Sequence, residues 1–169
     1  MIGPILNSHH AKILRMNQDF VHWLSPLDEG ALTELLSLAH YTKQIHEADG
    51  VLIGYAHDVN YDHKNLAWLR RRFESFYYID RIILNASAQG KGYGRQLYAD
   101  FEAEAPRKGL PRLVCEVNTK PNNPGSHKFH ERLDFKAIGD ANYAEFDTAV
   151  RYYEKRLEPL YEINHFSSL

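Results

Sequence analysis

The sequence predicts a mixed α/β fold in one domain spanning residues 1–169, with hairpins ahead of one central βαβ unit. Three observations carry this expectation. Asp49-Gly50 separates two β-rich runs. A long aromatic and β-branched run, residues 76–84, leads into a glycine turn and then a segment of helical period. A second apolar run at residues 112–117 completes the unit. The chain has 169 residues, 44% hydrophobic and 25% charged, so it can bury a real core, and a disordered, collagen-like or coiled-coil chain is excluded.

In chain order, Ile13-Leu14-Arg15-Met16 reads as a short first strand. Ser25-Pro26-Leu27-Asp28 reads as a helix start, with Ser25 as cap, Pro26 in the first helical position and Asp28 completing a capping box. Leu27, Ala31, Leu35 and Ala39, joined by Leu32 and Leu36, give the apolar stripe. The hairpin joins residues 44–47 to 51–56, with Gly50 supplying the positive φ of its turn. Residues 58–64 are polar loop, and 65–72 a short helix. Leu97, Tyr98, Phe101 and Ala105 define a helix over 95–105, ended by Pro106 and Gly109. A helix at 126–134 and strands at 135–138 and 145–153 finish the core (residues 11–153), leaving a tail from 154 to 169.

Twenty Lys and Arg against 22 Asp and Glu give a net charge of −2, which does not favour nucleic acid as a partner. One cysteine, Cys115, excludes an intrachain disulfide and a cysteine-based zinc site. No run approaches a membrane span and the N-terminus lacks signal-peptide character, so a cytoplasmic protein with no membrane partner is expected.

The turn Gln89-Gly90-Lys91-Gly92-Tyr93-Gly94 lies between strand and helix. Glycines there let the backbone approach a ligand and aim successive N–H groups at it, and the helix adds its positive end. This is a pyrophosphate cradle with Lys91 and Arg95 at its rim. The glycine spacing fits neither a P-loop nor a Rossmann turn. It matches [Q/R]-x-x-G-x-[G/A] through Gln89, Gly92 and Gly94. Downstream, residues 123–135 read Asn-Pro-Gly-Ser-His-Lys-Phe-His-Glu-Arg-Leu-Asp-Phe, similar to N-x-x-A-x-x-F-Y-E-x-L-G-F. With both motifs in order and in strand–helix context, the chain resembles the GNAT superfamily of acyl-CoA N-acyltransferases.

That resemblance implies a mostly antiparallel central sheet with helices on both faces and splayed fourth and fifth strands. It implies acetyl-CoA as co-substrate and direct transfer to a primary amine of a small molecule or peptide, with homodimerisation left open. Ile82, Ile83 and Leu84 match the strand whose backbone pairs with the pantetheine arm, and the backbone near Leu84 would polarise the thioester carbonyl. Residues 89–94 with Arg95 match the pyrophosphate loop. Asn123 and Ser126 match positions near pantetheine or the thiol. His130 stands where the family carries tyrosine, a candidate acid for the leaving thiolate, and Asp134 stands in place of glycine. Two other readings remain: a CoA-binding regulatory module without catalysis, and an interaction protein with no CoA affinity.

Alternation on the fifth strand puts Val114, Glu116 and Asn118 on one face and Leu113, Cys115 and Val117 on the other. Glu116 is the first candidate base for the acceptor amine. Asp80, placed by alternation with Tyr78, Ile82 and Leu84, is the second, unless either carboxylate pairs with a neighbour such as Arg81. Cys115 reads as a buried structural thiol, and Tyr77 and Tyr78 as core. His127 and His130 lack a third metal ligand. Arg70-Arg71-Arg72 reads as a solvated helical face ahead of an anion site.

Overall fold

The structure, a computed structural model, describes residues 1–159. Its elements are β1 (Ile2–Pro4), α1 (His10–Asp19), α2 (Glu29–Leu38), β2 (Tyr41–Ile45), β3 (Gly50–Ala56), α3 (Lys64–Arg70), β4 (Tyr77–Leu84), α4 (Tyr93–Glu104), β5 (Arg112–Lys120), α5 (Pro124–Arg132), β6 (Lys136–Tyr143) and β7 (Thr148–Arg156). The strands form one sheet in the order β1-β2-β3-β4-β5-β7-β6. Every neighbouring pair is antiparallel except β4 and β5, which the α4 crossover makes parallel. Residues 160–169, most of the expected tail, lie outside the described residues, and β7 itself runs three residues past residue 153. Among the described residues no helix is long and apolar enough to cross a membrane.

Each face of the sheet has its own core. On one, Ile13 of α1, Leu32 and Leu35 of α2 and Leu66 of α3 pack on Ile53, Tyr78, Val114 and Tyr152. On the other, Leu97, Tyr98 and Phe101 of α4, with Phe129 of α5 and Leu133 at its C-terminal end at the margin, pack on Leu52, Tyr77, Leu113 and Cys115. This is the two-faced layering expected from the sequence.

Several local expectations need correction. Residues 13–16 are helix. Ile13, Met16 and Asn17 are buried at i, i+3 and i+4, a period that a four-residue run cannot reveal. The true first strand, Ile2–Pro4, is too short to carry an alternation signal. Helix α2 starts three residues late. Its cap is Asp28, whose Oδ1 accepts from Ala31 N–H at 2.8 Å. Ser25 is freed for other contacts. In the hairpin, positive φ falls on His46, Glu47 and Ala48 (52°, 52° and 60°). Gly50 is instead a strand residue where a Cβ would come within 2.7 Å of Leu84 Cδ2 and 2.9 Å of Ile45 Cγ2. Asp134, where the similar motif carries glycine, is left-handed at φ 66°.

The arginine run is exposed, as expected, yet Arg70 is structural. It donates to the carbonyls of His57, Val59 and Tyr61 at 2.9, 2.6 and 3.3 Å, fixing the loop ahead of α3. Arg72 lies over the Trp68 ring at 3.9 Å.

Candidate active site

Strands β4 and β5 pair only at Tyr77↔Leu113 and Tyr78↔Val114. Beyond Tyr78, β4 has no strand partner on its β5 side, and the two strands form the walls of a cavity of about 700 Å³. The register explains where the separation begins. Ile53 pairs with Arg81 and Gly54 with Ile79, so Asp80 is an extra residue, a β-bulge. A bulge bends and twists its strand.

The bulge also shifts the side-chain alternation by one. Arg81 and Ile83 share the face of Tyr78, while Ile82 and Leu84 join Tyr77 and Ile79 on the α4 face. The expected grouping of Asp80 with Tyr78, Ile82 and Leu84 is therefore wrong, because the period of two is interrupted at Asp80 itself. Asp80 borders the cavity, and its Oδ2 pairs with Arg81 Nε at 3.1 Å, the partner anticipated for it.

Glu116 keeps its expected face and lines the cavity. Its Oε1 accepts from Tyr78 O–H at 3.0 Å, while Oε2 is buried without a partner. Burial, aided by the charge of Asp80, pushes the Glu116 pKa up to about 8 against the weaker opposing hydrogen bond from Tyr78. Tyr78 is thus both a core residue, as expected, and the support of this carboxyl group. Cys115 is buried, and burial raises its thiol well above the ordinary range, which fits a structural role.

His130 is 3% exposed. Its Nδ1 lies 2.8 Å from the Ser126 carbonyl oxygen, an acceptor, so Nδ1 carries the proton. Nε2, 2.7 Å from the Tyr98 hydroxyl, then accepts from it. Burial pushes the His130 pKa down to about 4, leaving a neutral ring at pH 7. His127 faces elsewhere, 2.7 Å from the Tyr153 hydroxyl and 3.0 Å from the Asn118 carbonyl oxygen.

The glycine turn sits at the head of α4. Gln89 reaches the cavity, and Gly90, Lys91, Gly92 and Arg95 are exposed around it. Gly90 and Gly92 have φ of 76° and 80°, which glycine alone adopts without strain. The helix starts at Tyr93, two residues earlier than expected. Gln96 N–H to the Gly92 carbonyl, at 3.1 Å, opens its hydrogen-bond ladder, and no side chain caps the N–H groups ahead of it. These free donors and the helix dipole suit a phosphate group. Gly94 serves packing instead: a Cβ there would meet Phe129 Cζ at 3.2 Å and Leu84 Cδ1 at 3.3 Å.

At α5 the N-terminus is closed. Asn123 Oδ1 accepts from Ser126 N–H at 3.2 Å, and Pro124 fills the first position. Asn123 and Ser126 both border the cavity, where the Asn123 amide and the Ser126 hydroxyl remain the groups able to face a ligand. Residues the sequence did not single out complete the walls: Phe20, Trp23 and Leu24 between α1 and α2, Tyr98 of α4 and Phe129 of α5. Tyr98 was legible as an apolar helix position and Phe129 only as part of the motif at residues 123–135; the segment at 20–24 carries no motif.

One site thus joins a parallel strand pair opened by a bulge to a glycine turn at an uncapped helix N-terminus, in a mixed α/β fold. The sequence profile of the acetyltransferase (GNAT) family matches residues 14–135, and the chain belongs to that family. Its fold is similar to Ard1 from Thermoplasma volcanium, with TM-score 0.75 and 12% identity over 94% of this chain and 97% of that one. It is also similar to NAA60 of Arabidopsis thaliana in complex with acetyl-CoA, with TM-score 0.72 and 10% identity over 93% and 99%. The ribosomal-protein-S18-alanine N-acetyltransferase from Escherichia coli aligns with TM-score 0.68 and 14% identity over 98% of each chain. No curated protein sequence matches the chain.

Proposed function

We propose that this protein transfers the acetyl group of acetyl-CoA directly to a primary amine of a small molecule or peptide. The observation that carries the reading is one cavity onto which the open edge of β4, Gln89 at the glycine turn and the unpartnered Oε2 of Glu116 all converge. A ligand with phosphates at one end and a reactive acyl group at the other fits that arrangement.

In this reading Gly90, Gly92 and the first N–H groups of α4 hold the pyrophosphate, with Lys91 and Arg95 at the rim. The β5-facing backbone groups of Ile82, Ile83 and Leu84, which have no strand partner, pair with the pantetheine arm and polarise the thioester carbonyl near Leu84. Asn123 and Ser126 flank the sulfur end. The ionised form of Glu116 takes a proton from the amine, whose lone pair attacks the carbonyl carbon; the C–N bond forms, the C–S bond breaks and the thiolate leaves. A base with a pKa of about 8 is stronger than an ordinary carboxylate, at the expense of being mostly protonated at pH 7. Asp80, tied to Arg81, acts on Glu116 through its charge. Tyr98 and His130 share one proton between hydroxyl and Nε2, and this pair supplies the proton that thiolate departure needs.

His130 also favours a second reading, CoA binding without catalysis, because both its nitrogens already have protein partners. One pair of measurements separates the two. Calorimetric titration with acetyl-CoA should show binding in either case, and amine-dependent release of free CoA should occur only for the transferase. Binding without release across an amine panel establishes the second reading, and absence of binding removes both.

A further inference from the structure

The face of β5 that carries Glu116 is also the face covered by α1 and α2, with Val114 in the core beside it. The cavity wall on that side is Phe20, Trp23 and Leu24. Phe20 and Leu24 pack against the core, and Trp23 Nε1–H donates to the Asn122 carbonyl at 3.1 Å, tying this wall to the segment before α5. An amine nitrogen placed at Glu116 therefore lays its carbon skeleton against an apolar, largely aromatic surface.

The charges of the cavity are as informative as its walls. Tyrosine and cysteine apart, its ionisable lining among the described residues is Asp80, Arg81, Glu116 and His130. Arg81, 7% exposed, donates from each of its three nitrogens: Nε to Asp80 Oδ2 at 3.1 Å, Nη1 to Asn17 Oδ1 at 2.6 Å and Nη2 to Ser25 Oγ at 3.0 Å. Three of its five N–H donors are taken and its charge is balanced by Asp80, so neither Arg81 nor Asp80 is a free ion for a substrate charge. Glu116 is the one carboxyl group of the lining without a cation, and its ionised form is taken up by the reacting amine; His130 is neutral. The lining thus offers a second ammonium no free anion, and a carboxylate no free cation. An uncompensated charge in such a site is strongly disfavoured.

Building on the acetyl-transfer reading above, we propose that the acceptor is a primary amine bearing a single positive charge on an apolar skeleton, with polyamines and zwitterionic amino acids rejected. An arylalkylamine and the N-terminus of a peptide beginning with an apolar residue both have this chemistry.

The test follows free CoA release by wild-type enzyme with four acceptors: 2-phenylethylamine, L-phenylalaninamide, 1,4-diaminobutane and free L-phenylalanine. One or both of the first two should exceed the last two in kcat/KM by at least about tenfold, about 1.4 kcal/mol. Preference for 2-phenylethylamine indicates a small-molecule acceptor, and preference for L-phenylalaninamide a peptide N-terminus. Equal or better turnover of the diamine or the free amino acid overturns the acceptor class and leaves the transferase standing. Acetyl-CoA binding with no release by any amine overturns both. Trp23, partly buried and outside both cores, allows a converse test. Trp23→Glu supplies the missing anion and should raise the diamine relative to 2-phenylethylamine by at least about tenfold, with acetyl-CoA affinity reporting an intact fold. An unchanged ratio in a variant that still binds acetyl-CoA removes the wall from the argument.

Discussion

The first residues of β4 and β5 are ordinary sheet, while their later residues are the two sides of a cavity. Tyr77 and Tyr78 pair with Leu113 and Val114, and all four are buried. A few residues on, Ile82, Leu84, Glu116 and Asn118 are only partly buried and have no partner across the gap. One inserted residue, Asp80, separates the regimes. The paired half is a scaffold whose side chains are held by packing. The open half has traded packing for exposed backbone and a buried carboxyl group. Substitutions in the first should therefore break the fold, and substitutions in the second should break chemistry while leaving the fold, or even improving it.

The largest expected effect lies in the paired half. Tyr77 is fully buried and stacked on Phe101, with ring centroids 4.0 Å apart. Tyr77→Ala should lower unfolding free energy by about 3–5 kcal/mol, read by urea denaturation. Ile82→Ala, in the open half beside an existing cavity, should stay below about 2 kcal/mol. Equal losses at the two positions would mean that the open half is packed as tightly as the scaffold.

Next in size is Glu116→Gln, where activity and stability should move in opposite directions. If Glu116 is the base, kcat/KM should fall by about 10²–10⁴-fold near pH 8. The gap should narrow below pH 7, where wild-type Glu116 is itself protonated, and again near the amine's own pKa of about 10. Stability follows from the same raised pKa. Between the ordinary carboxyl value of 4.5 and about 8, the folded state holds a proton that the unfolded state has released. Wild-type stability therefore falls as pH rises through this window, and Glu116→Gln should flatten that slope. Melting curves from pH 5 to pH 9 read it directly; parallel slopes in the two proteins would show that Glu116 is not held protonated by the fold.

A smaller effect, about 10²-fold in kcat, is expected for the buried proton-sharing pair. Tyr98→Phe and His130→Phe should each lower kcat with little change in acetyl-CoA affinity, and the double variant should be no worse than the single ones. Additive losses would mean that the residues act separately. Loss in His130→Phe alone, with Tyr98→Phe fully active, would assign proton delivery to His130 directly.

The contrast between the two halves also explains what the sequence could reveal. Local chemistry was legible: the glycine turn and the face of Glu116 both follow from spacing along a short stretch of chain. The bulge was not, because it is defined by register against β3, and so the side-chain grouping around Asp80 came out inverted. Ser25 illustrates the same limit. Its hydroxyl suits a helix cap, but the fold gives it Arg81 at 3.0 Å, and Asp28 takes the cap. The wall at Phe20, Trp23 and Leu24 left no trace, since apolar residues outside a period cannot be told from core. His130 was found by motif position, whereas its dependence on Tyr98 is a contact between helices 32 residues apart.

The smallest expected effect concerns the end of the open half where the turn meets α4. Gly92 and Gly94 match the same motif, yet the structure gives them different tasks. A Cβ on Gly92 meets nothing within 4 Å, so Gly92→Ala introduces no clash; it places a methyl group beside the free N–H groups and strains a residue held at φ 80°. A left-handed alanine costs about 1–2 kcal/mol, so a modest drop in melting temperature is expected. The main loss should be in acetyl-CoA affinity, by about tenfold, or about 1.4 kcal/mol. Gly94→Ala presses instead on Phe129 and Leu84 at 3.2–3.3 Å and should act through the packing of α4 on α5 and β4. Titration at two salt concentrations distinguishes the two. If Gly92 lines a phosphate site, the wild-type affinity should weaken with salt, because Lys91 and Arg95 at the rim are exposed and screened. Gly92→Ala should show the same salt dependence, displaced to weaker binding. Affinity that is unchanged in a folded Gly92→Ala protein and insensitive to salt would place the phosphates somewhere other than this turn.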